Sequence, residues 1–260
     1  MVAPWWWRYA IPNLVTSASL VAGLLAISVS ITGNYQDGAW FILLSVALDK
    51  LDGTVARLLH GSSTFGLQMD SLADLIAFGV APAVLVLSAL MGDKPVVHFE
   101  WWCGLRYLGY VGIFWFVIAS ALRLAKFNIL SENYGKDYFF GIPTTVCGAF
   151  VASLFLVAMR YPKLTPSLQL LPATMLLLGF LMVSRVPLPK IKGSGSIAHK
   201  IWVFGHLAAT YTCVFTRTGS EYLLFVAVEY VSVGTIVAMI RGIKAPPLPR
   251  PGDKDASTNA

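Results

Sequence analysis

Four aspartates stand where a largely apolar sequence should reject them. Asp49 and Asp52 lie in the run Asp49-Lys50-Leu51-Asp52-Gly53-Thr54-Val55-Ala56-Arg57, and Asp70 and Asp74 in Gly66-Leu67-Gln68-Met69-Asp70-Ser71-Leu72-Ala73-Asp74. On helices, the i,i+3 spacing of the first pair and the i,i+4 spacing of the second put each pair on one face. The short connection between the runs makes the two helices antiparallel neighbours, so both pairs can converge. A carboxylate near the centre of a membrane helix costs about 2.5–3.5 kcal/mol even on the gentler insertion scale, so these four must face a wet cavity or cations. Lys50 and Arg57 supply two positive charges against four acids. Hard divalent cations such as Mg²⁺ or Mn²⁺ take oxygen ligands of this kind. Two such ions about 3.5–4 Å apart form a clamp suited to displacement at phosphorus.

The small residues beside the acids carry a second message. Gly53, Ala56 and Gly66 fall on the carboxylate faces. Small residues there permit close helix packing. They also leave a slot for a flat nucleotide base, with Arg57 near enough to meet a phosphate.

The elements that must carry these groups are membrane helices. Of 260 residues, 57% are apolar and only 12% charged, with a formal charge of +6; the mean hydropathy is +0.69. Soluble domains carry about 25% charged residues, so this composition excludes disorder and a nucleic-acid-binding domain and disfavours a soluble enzyme. Apolar runs occupy about 11–33, 39–60, 66–91, 107–125, 139–159, 165–184, 201–216 and 221–241. Most suffice to cross about 30 Å of hydrocarbon as helices. No alternating ten-residue segments suggest a β-barrel. The expectation is an all-α polytopic bundle of eight transmembrane helices, in which 201–216, short and holding His206, is the weakest span. With eight crossings, thirteen Lys and Arg lie on the side of the termini and five on the other, Lys50 being inside a span. The positive-inside rule then puts both termini in the cytoplasm. Residues 1–244 form one integral membrane domain, and 245–260, rich in Pro and polar residues, a disordered cytoplasmic tail. Trp5, Trp6 and Trp7 read as an interfacial anchor rather than part of a cleavable leader, and Trp101 and Trp102 as an outer aromatic belt. Three scattered cysteines form neither a disulfide framework nor a zinc site.

The pattern Asp-x2-Asp-Gly-x2-Ala-Arg-x8-Gly-x3-Asp-x3-Asp, complete here over 26 positions, resembles the signature of the CDP-alcohol phosphatidyltransferases. Further stretches are similar to the integral-membrane phosphatidylserine synthases of that family. These are Pro12-Asn13-Leu14-Val15-Thr16, Phe78-Gly79-Val80-Ala81-Pro82-Ala83, Arg123-Leu124-Ala125-Lys126-Phe127-Asn128, Gly141-Ile142-Pro143-Thr144-Thr145 and Leu181-Met182-Val183-Ser184. Lys126 stands where Arg is expected, and Thr144-Thr145 where Pro and Ala are commoner.

The resemblance implies a membrane enzyme that transfers the phosphatidyl group of CDP-diacylglycerol to L-serine, releasing CMP, with two divalent cations, Mg²⁺ or Mn²⁺. It implies that Asp49, Asp52 and Asp70 hold one ion and Asp49, Asp70 and Asp74 the other, with Asp74 also the general base. Gly53, Ala56, Arg57 and Gly66 would line the CDP-lipid site, with Asn13, Thr16 and Ser63 near the nucleotide or diphosphate. Arg123, Lys126 and Asn128 are the candidates for the acceptor, since a guanidinium or ammonium can pair with the amino acid's carboxylate; serving only the positive-inside rule is the alternative. A homodimer is implied by resemblance alone, whereas the orientation of the spans puts the active site near the cytoplasmic face of an inner membrane or endomembrane.

Other readings stay open at this stage. The same chemistry could serve glycerol phosphate, inositol phosphate or choline, and an ether-linked lipid tail would look the same. A cation transporter would also carry intramembrane acids, but spread along a pathway in repeated halves rather than crowded into one stretch. Glu229 is an expensive acid within the eighth span, for which His206 or a tyrosine would be a sufficient partner. Cys147 reads as a small buried hydrophobe.

Overall fold

The architecture was taken from a computed structural model, which describes residues 7–59, 61, 63–92, 95–96, 103–130, 138–184, 187–189 and 197–240. The expected anchors at Trp5, Trp6, Trp101 and Trp102 and the tail 245–260 lie outside the described residues. Helices occupy every one of the eight apolar stretches. In chain order they are α1 (Trp7–Ile31), α2 (Tyr35–Leu59), α3 (Thr64–Asp74), α4 (Ala81–Met91), α5 (Cys103–Leu130), α6 (Thr144–Arg160), α7 (Leu171–Val183), α8 (Ile197–Thr216) and α9 (Ser220–Ile240). A π-helical turn, Leu75–Val80, joins α3 to α4, and a 3-10 turn, Thr165–Leu170, leads into α7. Two short strands, β1 (Tyr138–Phe140) and β2 (Pro187–Pro189), pair antiparallel with Phe139 opposite Leu188.

Among the described residues, four helical stretches are long and apolar enough to cross a membrane: Trp7–Ile31, Thr64–Leu90, Tyr107–Ile129 and Thr165–Val183. α2 is as long as α1, but Asp49, Lys50, Asp52 and Arg57 interrupt its apolar character near the end. The surface agrees with a lipid setting. On α5, Tyr107, Val111, Phe114, Ile118 and Leu122 are all exposed at spacings of three and four, which is one continuous helix face. In water such a face would be an aggregation site; in hydrocarbon it costs nothing. The chain is an integral membrane protein.

The interior is a dry core of Ile42, Phe78, Leu85, Ile113, Phe116, Phe155, Met175 and Met182, each almost fully buried. α1 and α2 form an antiparallel pair locked by polar groups. The hydroxyls of Ser19 and Ser45 lie 2.7 Å apart, Ser19 Oγ donates to the Ser45 carbonyl at 3.1 Å, and Ser45 Oγ to the Ser19 carbonyl at 2.9 Å. In lipid the driving force for helix association is packing and hydrogen bonding, so such buried contacts fix the register of the pair.

The π turn has an identifiable cause. Pro82 has no N–H to give the Phe78 carbonyl, and its ring would collide with that carbonyl in a regular helix. The widened turn makes room, and Ala81 N–H bonds back to the Ile76 carbonyl instead. The turn is wedged between glycines of its neighbours: a Cβ on Gly23 of α1 would lie 2.9 Å from Ala77, and one on Gly148 of α6 3.0 Å from Phe78 Cβ. Asp74 is the last residue before this turn, so its neighbours on the C-terminal side are among the most tightly packed in the molecule.

At the end of the bundle remote from the aspartates, Arg217 pairs with Asp37 at 2.8 Å and Arg160 with Glu221 at 3.3 Å. These ion pairs tie α2 and α6 to the α8–α9 pair. Glu221 also accepts from the Tyr161 hydroxyl at 2.9 Å.

Candidate active site and metal centre

α2 and α3 follow one another through a short connection, and both pack against α1 rather than, as the spacing predicts, closely against each other. Ser63 caps α3, its hydroxyl accepting from Gly66 N–H at 3.0 Å, which fixes where the second acidic helix begins. Asp49 from α2 and Asp70 and Asp74 from α3 then converge, with one carboxylate oxygen from each lying within 4.8 Å of the others. Asp74 is 9% exposed, and Asp49 and Asp70 are half-buried. None of the three makes an ion pair with a described residue. Carboxylates gathered this closely without a cation are a donor set for a hard metal ion, and oxygen-only ligation suits Mg²⁺ or Mn²⁺.

Asp52 stands apart from that trio. It is 6% exposed and its Oδ2 accepts from Thr16 Oγ1 on α1 at 2.8 Å. Thr16, expected near the nucleotide, is thus a partner of an acidic residue in the structure. Its hydroxyl also lies 3.1 Å from the Pro12 carbonyl.

The other expected nucleotide-site residues fall around the same end. Asn13 Oδ1 and Ser63 Oγ flank Gly66, where an added Cβ would lie 3.2 and 3.1 Å from them. Gly53 is exposed and faces open space, with no atom within 4 Å of where its Cβ would be. Ala56 is half-buried beside it. Arg57 is exposed and donates to Thr54 Oγ1 at 3.3 Å; it is not drawn onto the carboxylates.

Arg123 is 8% exposed, an unusual burial for a guanidinium. Its Nη1 donates to Thr144 Oγ1 at the start of α6 at 2.9 Å, it sits over the Phe127 ring at 5.7 Å, and its Nε has no hydrogen-bond partner. It lies close enough to Asp74 to interact electrostatically. Asn128 exchanges hydrogen bonds with Ser71 on α3, at 3.0 Å from its Nδ2 and 3.2 Å to its Oδ1. Lys126 is half-buried one turn from Arg123.

Residues that sequence reasoning passed over include Thr144 as the support of Arg123, Ser71 as the support of Asn128, and Tyr211, whose hydroxyl donates to the Ala47 carbonyl at 2.9 Å. No local signal marks them, because each acts through a residue far away in the chain. Cys147 is fully buried, as a small hydrophobe should be. His206 bonds the Tyr222 hydroxyl at 2.9 Å.

Comparison with known proteins gives the same answer as the geometry. Residues 9–183 match the profile of the CDP-alcohol phosphatidyltransferase family, so the match contains all four aspartates and Arg123. A CDP-diacylglycerol–serine O-phosphatidyltransferase of Helicobacter pylori is 35% identical over 185 residues, 71% of this chain and 73% of the relative. An archaetidylserine synthase of Methanothermobacter thermautotrophicus is 34% identical over 192 residues, 72% of each chain. A CDP-diacylglycerol–serine O-phosphatidyltransferase of Bacillus subtilis is 33% identical over 182 residues, 70% of this chain and 91% of the relative. With the acidic signature on two adjoining helices and two thirds of its length matched, the chain belongs to the CDP-alcohol phosphatidyltransferase family.

Proposed function

We propose that this protein transfers a phosphatidyl group from CDP-diacylglycerol to L-serine, giving phosphatidylserine and CMP. The observation that carries the reading is the convergence of Asp49, Asp70 and Asp74, with one carboxylate oxygen of each within 4.8 Å of the others. The names of the three relatives supply the acceptor. Asp49, Asp52, Asp70 and Asp74 would hold two divalent cations, Mg²⁺ or Mn²⁺. When bound, those cations neutralise the diphosphate and the charge left on departing CMP.

The chain's own residues do the rest. Asp74 accepts the proton of the serine hydroxyl as its oxygen bonds to the lipid-bearing phosphorus and the bond from that phosphorus to the CMP oxygen breaks. Arg123, held by Thr144, offers its free Nε to the serine carboxylate. Its nearness to Asp74 brings the amino acid's hydroxyl to the base, and positioning of this kind can lower a barrier by several kcal/mol. Asn128 and Lys126 border the same pocket. The open space at Gly53 receives the cytidine, with Ala56, Gly66, Asn13 and Ser63 around it and Arg57 at the rim. The eight helices cross the membrane with both termini, the tail 245–260 and the site on the cytoplasmic side, in a cell inner membrane or endomembrane.

The test is CMP release from detergent-solubilised protein supplied with CDP-diacylglycerol, Mn²⁺ or Mg²⁺, and serine. Release that needs metal and serine, and stops with EDTA, supports the reading. Release with glycerol phosphate, inositol phosphate or choline instead keeps the chemistry and overturns the acceptor. A CDP lipid with ether-linked isoprenoid tails, run in parallel, reads the tail preference that the archaeal relative's name raises.

A further inference from the structure

Beside its packing on α4 and α6, the acidic helix α2 is held by side-chain contacts on two flanks, and only one of these flanks belongs to the part of the chain that matches the family. On the first flank, α1 grips it through Ser19–Ser45 and Thr16–Asp52. On the second, α8 runs antiparallel to α2 and bonds it at successive levels. Arg217 pairs with Asp37 at 2.8 Å and lies over the Phe41 ring at 5.6 Å. Further along, the Tyr211 hydroxyl donates to the Ala47 carbonyl at 2.9 Å. Each contact lies closer to Asp49 than the last, and Ala47 is two residues before it. The Tyr211 ring is itself stacked on Phe215, at 6.3 Å between centroids, and its hydroxyl lies within electrostatic reach of Asp49 and Asp52.

The geometry points to Tyr211 as a positioning residue for the metal centre, acting through the backbone of α2. A helical carbonyl has two lone pairs, so the phenol adds a bond without displacing the helix's own. The bonds from α1 on one side and Tyr211 on the other add to the packing of α4 and α6 in holding α2 against rotation about its axis, and that rotation sets where Asp49 stands relative to Asp70 and Asp74. The repulsion among these carboxylates favours such a rotation in the metal-free protein. The Tyr211 bond opposes it and keeps the ligands assembled before the ion arrives. The inference rests on the metal reading proposed above and adds a determinant from α8, beyond residues 9–183.

The test compares wild type, Y211F and T212V as full-length, detergent-solubilised protein. Thr212 is the neighbouring residue, exposed and bonded only within its own helix. Direct Mn²⁺ binding is followed by paramagnetic resonance of the free ion without substrates, beside the Mn²⁺ dependence of CMP release. Outer-shell partners of metal ligands affect affinity by tens-fold when bonded directly; through one helical turn, a three- to ten-fold weaker Mn²⁺ affinity is expected for Y211F. KM for the CDP lipid and for serine should be unchanged, and so should T212V. A Y211F binding curve that superimposes on wild type overturns the inference, and so does a lowered Tm with no change in Mn²⁺ affinity. If Mn²⁺ binds more weakly to Y211F while serine proves not to be the acceptor, the positioning role stands and the acceptor falls. Wild-type protein that binds no Mn²⁺ overturns both.

Discussion

Replacing Thr16 by Val separates two roles for one residue. The substitution keeps shape and removes the hydroxyl that donates to Asp52 Oδ2 at 2.8 Å. Both residues are almost fully buried, at 5% and 6% exposure, so no bulk water replaces the lost donor. The single hydroxyl proton has a choice of the Pro12 carbonyl at 3.1 Å or the shorter approach to the carboxylate, and the charged acceptor wins. A hydrogen bond to a charged group contributes about 1.5–3 kcal/mol, equivalent to roughly ten- to hundred-fold in an equilibrium. Partners that orient metal ligands show the same span, about 10–100-fold in affinity. T16V should therefore need at least ten times more Mn²⁺ for half-maximal CMP release, whereas T16S, which keeps the donor, should stay within about two-fold of wild type. The assay is a Mn²⁺ titration at saturating CDP-diacylglycerol and serine, repeated as a lipid titration at saturating metal. An unchanged metal requirement combined with a raised KM for the CDP lipid would refute this reasoning, and would return Thr16 to the nucleotide.

Three other outcomes are expected. D74N should lose CMP release by at least a thousand-fold while still binding the CDP lipid, checked by a filter-binding assay with labelled nucleotide lipid. R123K cannot offer an Nε–H and fills the cavity differently, so KM for serine should rise ten-fold or more with KM for the CDP lipid nearly unchanged. G53V and G23V should part company. At Gly53 nothing lies within 4 Å of the added Cβ, so Tm should hold while CDP-lipid binding fails; at Gly23 the Cβ would meet Ala77 at 2.9 Å, and overpacking of about 1–3 kcal/mol should lower Tm.

Much of this architecture was legible before any coordinates. Runs of apolar residues placed all eight helical stretches, because in lipid a helix must satisfy its own backbone and its length is set by the bilayer. The i,i+4 spacing put Asp70 and Asp74 on one face of α3, and Asp49 joins them; Asp52, expected to converge with its i,i+3 partner Asp49, is bonded to Thr16 instead. What periodicity does not carry is register between helices. Whether Thr16 meets a nucleotide or Asp52 depends on how far α1 slides along α2, which the Ser19–Ser45 contact decides. The support of Arg123 by Thr144 and of Asn128 by Ser71 needs the same tertiary information. The π turn was hidden for another reason: Pro82 marks a disturbance, but a proline can kink a helix, break it or widen it, and the neighbours select among these.

That widened turn also separates two rotational phases within one helical rod. In an unbroken helix each residue advances the face by 100°, so the direction of Asp74 would dictate which side chains of α4 meet the core. The extra residue accommodated at Leu75–Val80 lets the acidic half and the packed half be set independently. α4 can then turn Leu85, Val86 and Ala89 into the core without dictating where the carboxylates point. Shortening the turn by one residue would instead couple the two halves again, swinging Asp70 and Asp74 by about a quarter turn away from Asp49.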